Sequence, residues 1–335
     1  MTLGYFAITE PVGVKMESTD YNGIINVLKP PGMTSHDVVN YLRRGLKIKK
    51  TGHTGTLDPG VAGVLPVCLG KATKIIEYMA NDIKMYRAEA TFGRSTDTQD
   101  GFGKTVRVCD TSGLTEAKVA EAFGSLQGRQ SQVPPMVSAL KYKGRRLYEL
   151  AREGIEVERK PRIIEIFKSE IIRYTGFGTP NPAVLFDIEC SKGTYVRTIC
   201  HDLGNLLGYC GFMSFLVRTG TGRYKISEAL TLEEITDLIQ SGRIREAILP
   251  PEEALDFKKV WVSLDVVQAV AHGNCIYQAG IEVLPDGLKE NEPVILMNTD
   301  SGCLAVAKVL CEGATSRLSA EDCTRYSFQP VKVLC

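Results

Sequence analysis

The stretch Gly52–Gly70, which reads GHTGTLDPGVAGVLPVCLG, constrains the fold of this chain more than any other segment. It holds five glycines and two prolines but a single carboxylate, Asp58. Glycines at this density let the backbone bend sharply and allow another segment to come close. Pro59 fixes its own φ and biases Asp58 towards an extended conformation. The apolar run Val64–Val67 then predicts a short buried strand.

Asp58 therefore belongs to a stiff loop beside a core strand, and two interpretations of it are open. A lone acid held in this way suits a positioned catalytic group. The same residues also fit an aspartate whose side chain stabilises a tight turn. The chemistry of the stretch, taken alone, favours the turn-stabilising aspartate.

Four motifs resemble one protein family. The run GHTGTLDPGVAGVLPVCLGKATK, which starts at Gly52, is similar to the signature of the TruB family of tRNA pseudouridine synthases, centred on the catalytic aspartate. The K-P-x-G-x-T-S pattern at Lys29–Ser35, the T-D-T-x-D pattern that ends at Asp100 and the sequence CSKGTYVRT at Cys190–Thr198 resemble the same family. The resemblance implies an α+β fold, a mixed, mainly antiparallel sheet with flanking helices that is known as the pseudouridine synthase fold.

The length of 335 residues favours more than one domain. We predict an N-terminal extension over residues 1–22, a pseudouridine synthase catalytic domain over 23–255 and a small β-rich module over 258–335. Short β-like runs with Gly and Asp between them predict that module. The resemblance implies a PUA-like RNA-binding domain there, and a β-domain that serves only stability or contacts fits the same runs.

Local patterns predict the elements around the glycine-rich stretch. Thr34 and Asp37 have the spacing of a capping box, which predicts that a helix begins there. Alternating apolar residues over Met85–Phe92 predict a half-buried strand with Tyr86 on its apolar face. A helix is also predicted over Lys71–Ala80.

Arg197 lies in the first turn of a helix that Gly208 is placed to end. A cation near a helix start is mildly disfavoured by the helix dipole. We therefore expect a specific partner for Arg197, such as a carboxylate.

Composition excludes some classes of protein. Hydrophobic residues at 44% and charged residues at 24% are ordinary for a globular protein. No apolar run is long enough to span a membrane, and acids within Met1–Tyr21 make it a poor signal peptide, so we expect a cytoplasmic location. The ten cysteines form no C-x-x-C pair and favour reduced, buried side chains over a zinc site.

The net charge of +1 means that a nucleic-acid binder of this composition must concentrate its cations locally. A basic run precedes the glycine-rich stretch, and a second one lies in residues 127–162, where interleaved tyrosines suit an RNA backbone with unstacked bases. The resemblance implies that residues 127–162 are a flexible RNA-binding insertion. A solvated helix end and an ordinary surface loop fit the same segments. The candidate contacts to an RNA backbone are Arg43, Arg44, Lys47, Lys141, Lys143, Arg145 and Arg146.

The resemblance also implies roles for individual residues. Asp58 is implied to be the nucleophile or base, Arg197 its partner, and Tyr86 the group that stacks on the flipped uracil and takes part in the later proton step. His53 is implied to fill the space that the base vacates. The implied substrate-binding set is His53, Tyr195, Leu216, Lys29, Lys74 and Asp100.

The implied activity is isomerisation of uridine to pseudouridine at position 55 in the T-loop of tRNA, by base flipping and aspartate catalysis. The expected partner is the T-arm of tRNA, and no DNA, membrane, metal or organic cofactor is expected to take part. The chain is expected to be a monomer. It is also expected to assist tRNA folding. Three alternatives stay open: a guide-RNA-dependent synthase of ribosomal RNA, a non-catalytic RNA-binding or RNA-folding protein, and a cysteine-based metal protein.

Overall fold

The structure is a computed structural model that describes residues 21–80, 83–312 and 325–335. The predicted N-terminal extension lies outside these residues except for its last two positions. In the described part of the chain no helix is both long and apolar enough to cross a bilayer.

The strands follow one another along the chain and are numbered in that order. They are β1 (Gly23–Lys29), β2 (Thr51–His53), β3 (Ala62–Leu69), β4 (Lys84–Phe92), β5 (Arg94–Thr96), β6 (Thr105–Val108), β7 (Gly128–Gln132), β8 (Lys141–Tyr142), β9 (Arg145–Arg146), β10 (Arg162–Thr175), β11 (Ala183–Cys190), β12 (Gly211–Thr221), β13 (Tyr224–Lys225), β14 (Lys258–Val262), β15 (Ile281–Val283), β16 (Pro293–Asn298), β17 (Gly302–Glu312) and β18 (Arg325–Val333).

The helices are mostly short. They are α1 (Ser35–Gly45), α2 (Ile76–Met79), α3 (Glu116–Gly124), α4 (Leu147–Arg152), α5 (Val196–Leu207), α6 (Leu232–Gln240) and α7 (Val267–Ala271), with 3-10 turns at Gly70–Ile75, Ile226–Glu228, Ile244–Ala247, Pro251–Glu253, Leu264–Val266 and Gln278–Gly280.

A mixed, mainly antiparallel sheet forms the centre of the fold. Its strand order is β1-β3-β12-β4-β11-β10-β7, with β2 paired to β3 and β13 paired to β12. Only the contact between β12 and β3 is parallel among these pairs. A separate five-stranded sheet, in the order β15-β14-β16-β17-β18, follows towards the C-terminus. These two sheets confirm the predicted α+β class.

Buried apolar side chains attach the helices to the large sheet. One cluster joins α3 and α5 to β4, β11 and β12, and a second joins α1 and α6 to β1 and β3. Since each buried side chain removes apolar surface from water, these clusters stabilise the packing of the helices on the sheet. The adjacent strands β3, β12 and β4, where the two clusters meet, position the candidate site.

Most of the predicted elements are present. The capping box of Thr34 and Asp37 begins α1, and the left-handed Gly208 ends α5. The helix predicted over Lys71–Ala80 is instead a 3-10 turn followed by the four residues of α2.

Two cysteines differ from the expectation that all are reduced. Cys109 and Cys210 form a disulfide with their Cα atoms 5.9 Å apart, and 101 residues separate them in sequence. The bond joins the chain just after β6 to the residue before β12. Cys68, Cys190 and Cys200 are free and buried, as predicted for small hydrophobic side chains.

Candidate active site

The loop between β2 and β3 carries Asp58 and is tied to the segment that links β1 to α1. The Leu57 N–H donates to Ser35 Oγ at 2.8 Å, and the Gly32 N–H donates to the Pro59 carbonyl at 2.8 Å. The backbone is therefore held on both sides of Asp58, so its carboxylate has little freedom to move away.

Gly63 brings β12 close to the end of this loop. Its φ is +128°, and a Cβ added there would lie 2.3 Å from the carbonyl oxygen of Arg218. Arg218 pairs with Gly63 of β3 on one side and with Tyr86 of β4 on the other. The three strands thus place Tyr86 and Arg218 beside the loop that carries Asp58.

Arg197 lies between two carboxylates. Its Nη2 is 3.4 Å from Oδ2 of Asp58, and its Nη1 is 3.6 Å from Oδ2 of Asp100. Only 4% of the Arg197 side chain is exposed. An arginine buried to this degree needs counter-charges and acceptors, and here the two aspartates supply the charge.

The ionisation of Asp58 reflects two opposed effects. Its side chain is 42% exposed towards the cavity, yet desolvation by the surrounding protein is the largest influence and raises its pKa. The charge of Arg197 lowers that pKa, and the nearby carboxylate of Asp100 raises it. The net direction is upward, so the partner arginine limits the increase in pKa but does not cancel it.

Asp100 contributes to the turn as well as to the ion pair. Its Oδ1 accepts hydrogen bonds from Thr98 Oγ1 at 2.7 Å and from the Phe102 N–H at 3.0 Å. The turn is also joined to α5, because Thr198 Oγ1 donates to Gln99 Oε1 at 2.7 Å. Asp100 therefore pairs with Arg197 but does not line the cavity.

A cavity opens above Asp58, with an empty volume of about 450 Å³ that includes space open to solvent. It brings together five residues that the sequence analysis singled out. The residues that line it are Thr56, Leu57, Asp58, Val61, Tyr86, Thr194, Tyr195, Val196, Arg197, Met213 and Leu216. Tyrosine rings, apolar side chains and one ion pair suit a flat, polar-edged ligand such as a nucleobase.

The phenol of Tyr86 is hydrogen-bonded to Arg218. Burial is the main cause that raises the pKa of Tyr86, and the positive charge of Arg218 opposes it. Arg218 is itself 2% exposed and donates to the carbonyls of Val64 at 2.6 Å and Gly55 at 3.1 Å. Arg218 thus joins Tyr86 to the backbone of the loop that carries Asp58.

Arg218, which the resemblance places with Leu216 in a short apolar stretch against the pocket, is not among the predicted site residues. The sequence feature that indicates a role for Arg218 is its position inside the apolar run Phe215–Thr219. A cation buried in such a run needs buried partners. Those partners come from β3 and β4, which are distant in sequence.

Lys29 and Lys74 do not line the cavity. Lys29 is fully buried, and its Nζ donates to the carbonyls of Pro30, Met33 and Pro59 at 2.9, 2.6 and 3.3 Å. Burial lowers the pKa of Lys29 to about 8. Its ammonium holds the backbone behind Asp58, and this placement does not favour direct contact with a substrate.

Lys74 donates from Nζ to the carbonyl of Val333 at 2.7 Å, so it joins the large sheet to the C-terminal one. His53 lies in β2 opposite Val67 and outside the cavity wall. Desolvation is the largest cause that lowers the pKa of His53, and the charge of Arg218 acts in the same direction. His53 is therefore neutral at physiological pH.

The predicted RNA-binding insertion contacts two residues of the cavity wall, Arg197 and Tyr195. Arg197 Nη2 donates to the carbonyl of Val137 at 2.6 Å. Gln132 exchanges two hydrogen bonds with the backbone of Tyr195, at 2.9 and 3.1 Å. The segment that precedes the β8–β9 hairpin is therefore hydrogen-bonded to the cavity wall.

The candidate contacts to an RNA backbone are all exposed. Arg43, Arg44 and Lys47 lie at the end of α1, and Lys141, Lys143, Arg145 and Arg146 form the β8–β9 hairpin. Arg145 is paired with Glu153, so part of its charge is already neutralised. The described residues contain no cluster of three or more side chains able to hold a metal ion.

Family models match most of the chain. Residues 43–196 match the TruB family pseudouridylate synthase N-terminal domain, and residues 197–256 match the tRNA pseudouridylate synthase B C-terminal domain. A tRNA pseudouridine synthase B of Pelotomaculum thermopropionicum is 47% identical over 93% of this chain and 97% of its own length. The protein of the same name from Symbiobacterium thermophilum is 52% identical over 76% of this chain and 83% of its own length.

Solved structures share the same architecture. A chain in an H/ACA RNP bound to a substrate RNA containing 2′-deoxyuridine is 28% identical, with a TM-score of 0.68 over 93% of this chain and 85% of that one. A chain in a Cbf5-Nop10-Gar1 complex is 29% identical, with a TM-score of 0.69 over the same shares.

Proposed function

This chain belongs to the TruB family of pseudouridine synthases, and we propose that it isomerises the uridine at position 55 in the T-loop of tRNA. Its enzyme class is tRNA pseudouridine synthase, an isomerase, and its fold is the pseudouridine synthase fold, as predicted. The observation that carries the proposal is the pairing of Asp58 with Arg197 at the base of a cavity that Tyr86 lines.

The cavity requires a flipped base. A uridine stacked inside a folded loop cannot reach Asp58, so it must leave the stack at a cost of a few kcal/mol. The faces of Tyr86 and Tyr195 offer replacement stacking, and Leu216 and Met213 offer apolar contact. Base flipping into this cavity accounts for why its walls are aromatic and apolar while its base is charged.

The reaction is an isomerisation in which every atom is retained. The bond between the ribose C1′ and uracil N1 breaks, the uracil rotates, and a bond from C1′ to C5 forms while C5 loses a proton and N1 gains one. Asp58 acts in its ionised form, either on the uracil ring, on the ribose carbon or on a sugar proton. Arg197 favours that ionised form. Water must be excluded once the base occupies the cavity, because it would otherwise release the base.

Tyr86 enters the reaction as a neutral phenol, because burial raises its pKa. Its side-chain hydrogen bond to Arg218 keeps the phenol beside a buried cation. We assign Tyr86 to stacking on the flipped uracil and to the later proton step, in which a held hydroxyl can pass a proton to or from the ring.

The basic surfaces fit an RNA arm around this cavity. The exposed cations of α1 and of the β8–β9 hairpin supply charge for phosphates, and β7 attaches the insertion to the site through Gln132. We also propose that residues 23–255 form the catalytic unit and residues 258–335 a PUA-like RNA-binding unit. All strands of the large sheet lie in the first range and all those of the small sheet in the second.

A guide-RNA-dependent synthase is the second candidate, because the chains in H/ACA complexes have the same architecture. The two candidate functions differ in whether the isolated chain can modify free tRNA. We expect the pure protein, without guide RNA or partner proteins, to convert one uridine in an unmodified tRNA transcript. Mapping pseudouridine by reverse transcription, with a transcript carrying cytidine at position 55 as the control, tests both the activity and the position.

A further inference from the structure

Phe102 is the most exposed large apolar side chain in the described part of the chain, with 83% of its surface accessible. It lies in the loop between β5 and β6. Single exposed apolar residues are common on protein surfaces. Phe102 differs from them because its ring lies against the loop that carries Asp58.

The ring of Phe102 lies on the backbone of Gly60, two residues after Asp58. A Cβ added to Gly60 would come within 2.5 Å of Phe102 Cε2 and 2.7 Å of Cζ, so any larger residue at position 60 would displace the ring. Gly60 therefore gives the aromatic ring a flat support. One side of the ring contacts the loop, and the large exposed fraction leaves the rest open to solvent.

Hydrogen bonds hold the backbone around Phe102. Its N–H donates to Oδ1 of Asp100, whose other oxygen is paired with Arg197. The β5–β6 loop is closed by two hydrogen bonds between Asp97 and Lys104, at 2.8 and 3.1 Å. The ring thus stands in a set position relative to the carboxylates that surround Arg197.

We propose that Phe102 is a stacking platform for an unpaired nucleobase of the substrate RNA, next to the uridine that enters the cavity. This inference rests on the proposed function. When a base flips out of a loop, its neighbours lose a stacking partner, and an exposed aromatic ring beside the cavity replaces it. Exposed Lys104 and Arg107 on the same hairpin supply positive charge near an RNA backbone.

The test measures the affinity of Asp58→Asn protein for a tRNA T-arm hairpin, with and without changes at position 102. Loss of one base–aromatic stack predicts that Phe102→Ala raises Kd by at least about fivefold. Phe102→Leu keeps an apolar contact with Gly60 but has no flat ring, so it is expected to lose most of the same affinity. Phe102→Trp is expected to stay within about twofold of the parent.

Val108→Ala is the matched control. Val108 is 76% exposed and lies at the far end of β6, so its truncation is expected to leave Kd within about twofold of the parent. Melting temperatures are measured for every variant. A Phe102→Ala protein that folds and binds with unchanged Kd overturns the proposal, as does a Val108→Ala protein that loses as much affinity.

A second measurement identifies the base. Abasic nucleotides are placed one at a time in the hairpin loop and tested against the parent protein and against the Phe102→Ala variant. Coupling at one loop position, where the abasic change weakens binding only when Phe102 is present, is the expected result. Additive effects at every position overturn it. These affinities are read without turnover, so failure to form pseudouridine defeats the proposed function and leaves this test intact.

Discussion

A single nitrogen of Arg197, Nη2, contacts the carboxylate of Asp58 at 3.4 Å and donates to the carbonyl of Val137 at 2.6 Å. Arg197, which favours the ionised form of the proposed catalytic aspartate, is therefore also bonded to the predicted RNA-binding insertion. Any movement of Val137 when RNA binds changes one of the two contacts of that nitrogen. The charge at the reaction centre and the RNA-binding surface are thus linked by one side chain.

Asp58→Asn is expected to remove pseudouridine formation and keep RNA binding. The amide has nearly the shape of the carboxylate but is neither a nucleophile nor a base, so we expect kcat to fall by about 10³-fold or more. Turnover on a tRNA transcript and Kd for the same transcript are measured together. Asp265→Asn, an exposed aspartate in the C-terminal part, is the control. Turnover near that of the unaltered protein would remove Asp58 from the mechanism.

The same Asp58→Asn substitution is expected not to lower the melting temperature at neutral pH. The folded-state pKa of Asp58 is raised, so the native state binds its proton more tightly than the unfolded state does. Stability then falls as pH rises from the unfolded pKa through the folded one, and the ionised side chain opposes folding above both. A neutral amide removes that penalty. A clear drop in Tm at pH 7 contradicts the assigned direction of the shift.

Arg197→Met is expected to reduce kcat/KM by about 10²–10³-fold with little change in RNA affinity. Without the cation, desolvation and Asp100 still raise the pKa of Asp58, and only the smaller effect of Lys29 lowers it. Because activity requires ionised Asp58, the acid limb of the pH profile should move to higher pH. Arg197→Lys, which keeps the charge, should move it less. An unshifted limb in the Met variant would show that Arg197 does not control that ionisation.

Local sequence patterns predicted the elements that carry the site, because their causes lie within a few residues. The capping box of Thr34 and Asp37 and the helix end at Gly208 depend on neighbouring backbone groups alone. The alternation of apolar residues over Met85–Phe92 predicted that Tyr86 lies on the apolar face of β4, and Tyr86 does pack against the core on that face. The carboxylate partner expected for Arg197 followed from its unfavourable place in a helix dipole.

Contacts between distant segments could not be predicted in this way. Arg218 bonds to the carbonyl of Val64, 154 residues away, and the two cysteines of the disulfide are 101 residues apart. Nothing near either partner in the sequence marks these pairs. Lys74 shows the same limit, since its contact with Val333 depends on how the C-terminal sheet packs.

Arg218→Met is expected to destabilise the protein and slow the reaction. It leaves the carbonyls of Val64 and Gly55 without their buried donor, which costs roughly 2–4 kcal/mol of unfolding free energy. It also frees the Tyr86 hydroxyl, so kcat should fall more than KM rises. Urea unfolding and steady-state kinetics measure the two effects. Arg87→Met is the control, because that exposed arginine pairs with Asp187 and its loss should cost under about 1 kcal/mol.

Charge reversal at the end of α1 tests whether its basic run binds RNA. The double variant Arg43→Glu, Arg44→Glu should weaken tRNA binding and reduce the slope of log K against log salt by about 1–2, because each lost phosphate contact releases one counterion fewer. Lys168→Glu, Arg173→Glu makes the same charge change at exposed sites on β10 and should leave the slope nearly unchanged. Equal slopes for the two double variants and the unaltered protein would mean that the basic run of α1 is a solvated helix end. A run that contacts phosphates cannot lose two positive charges without changing the number of counterions that binding releases.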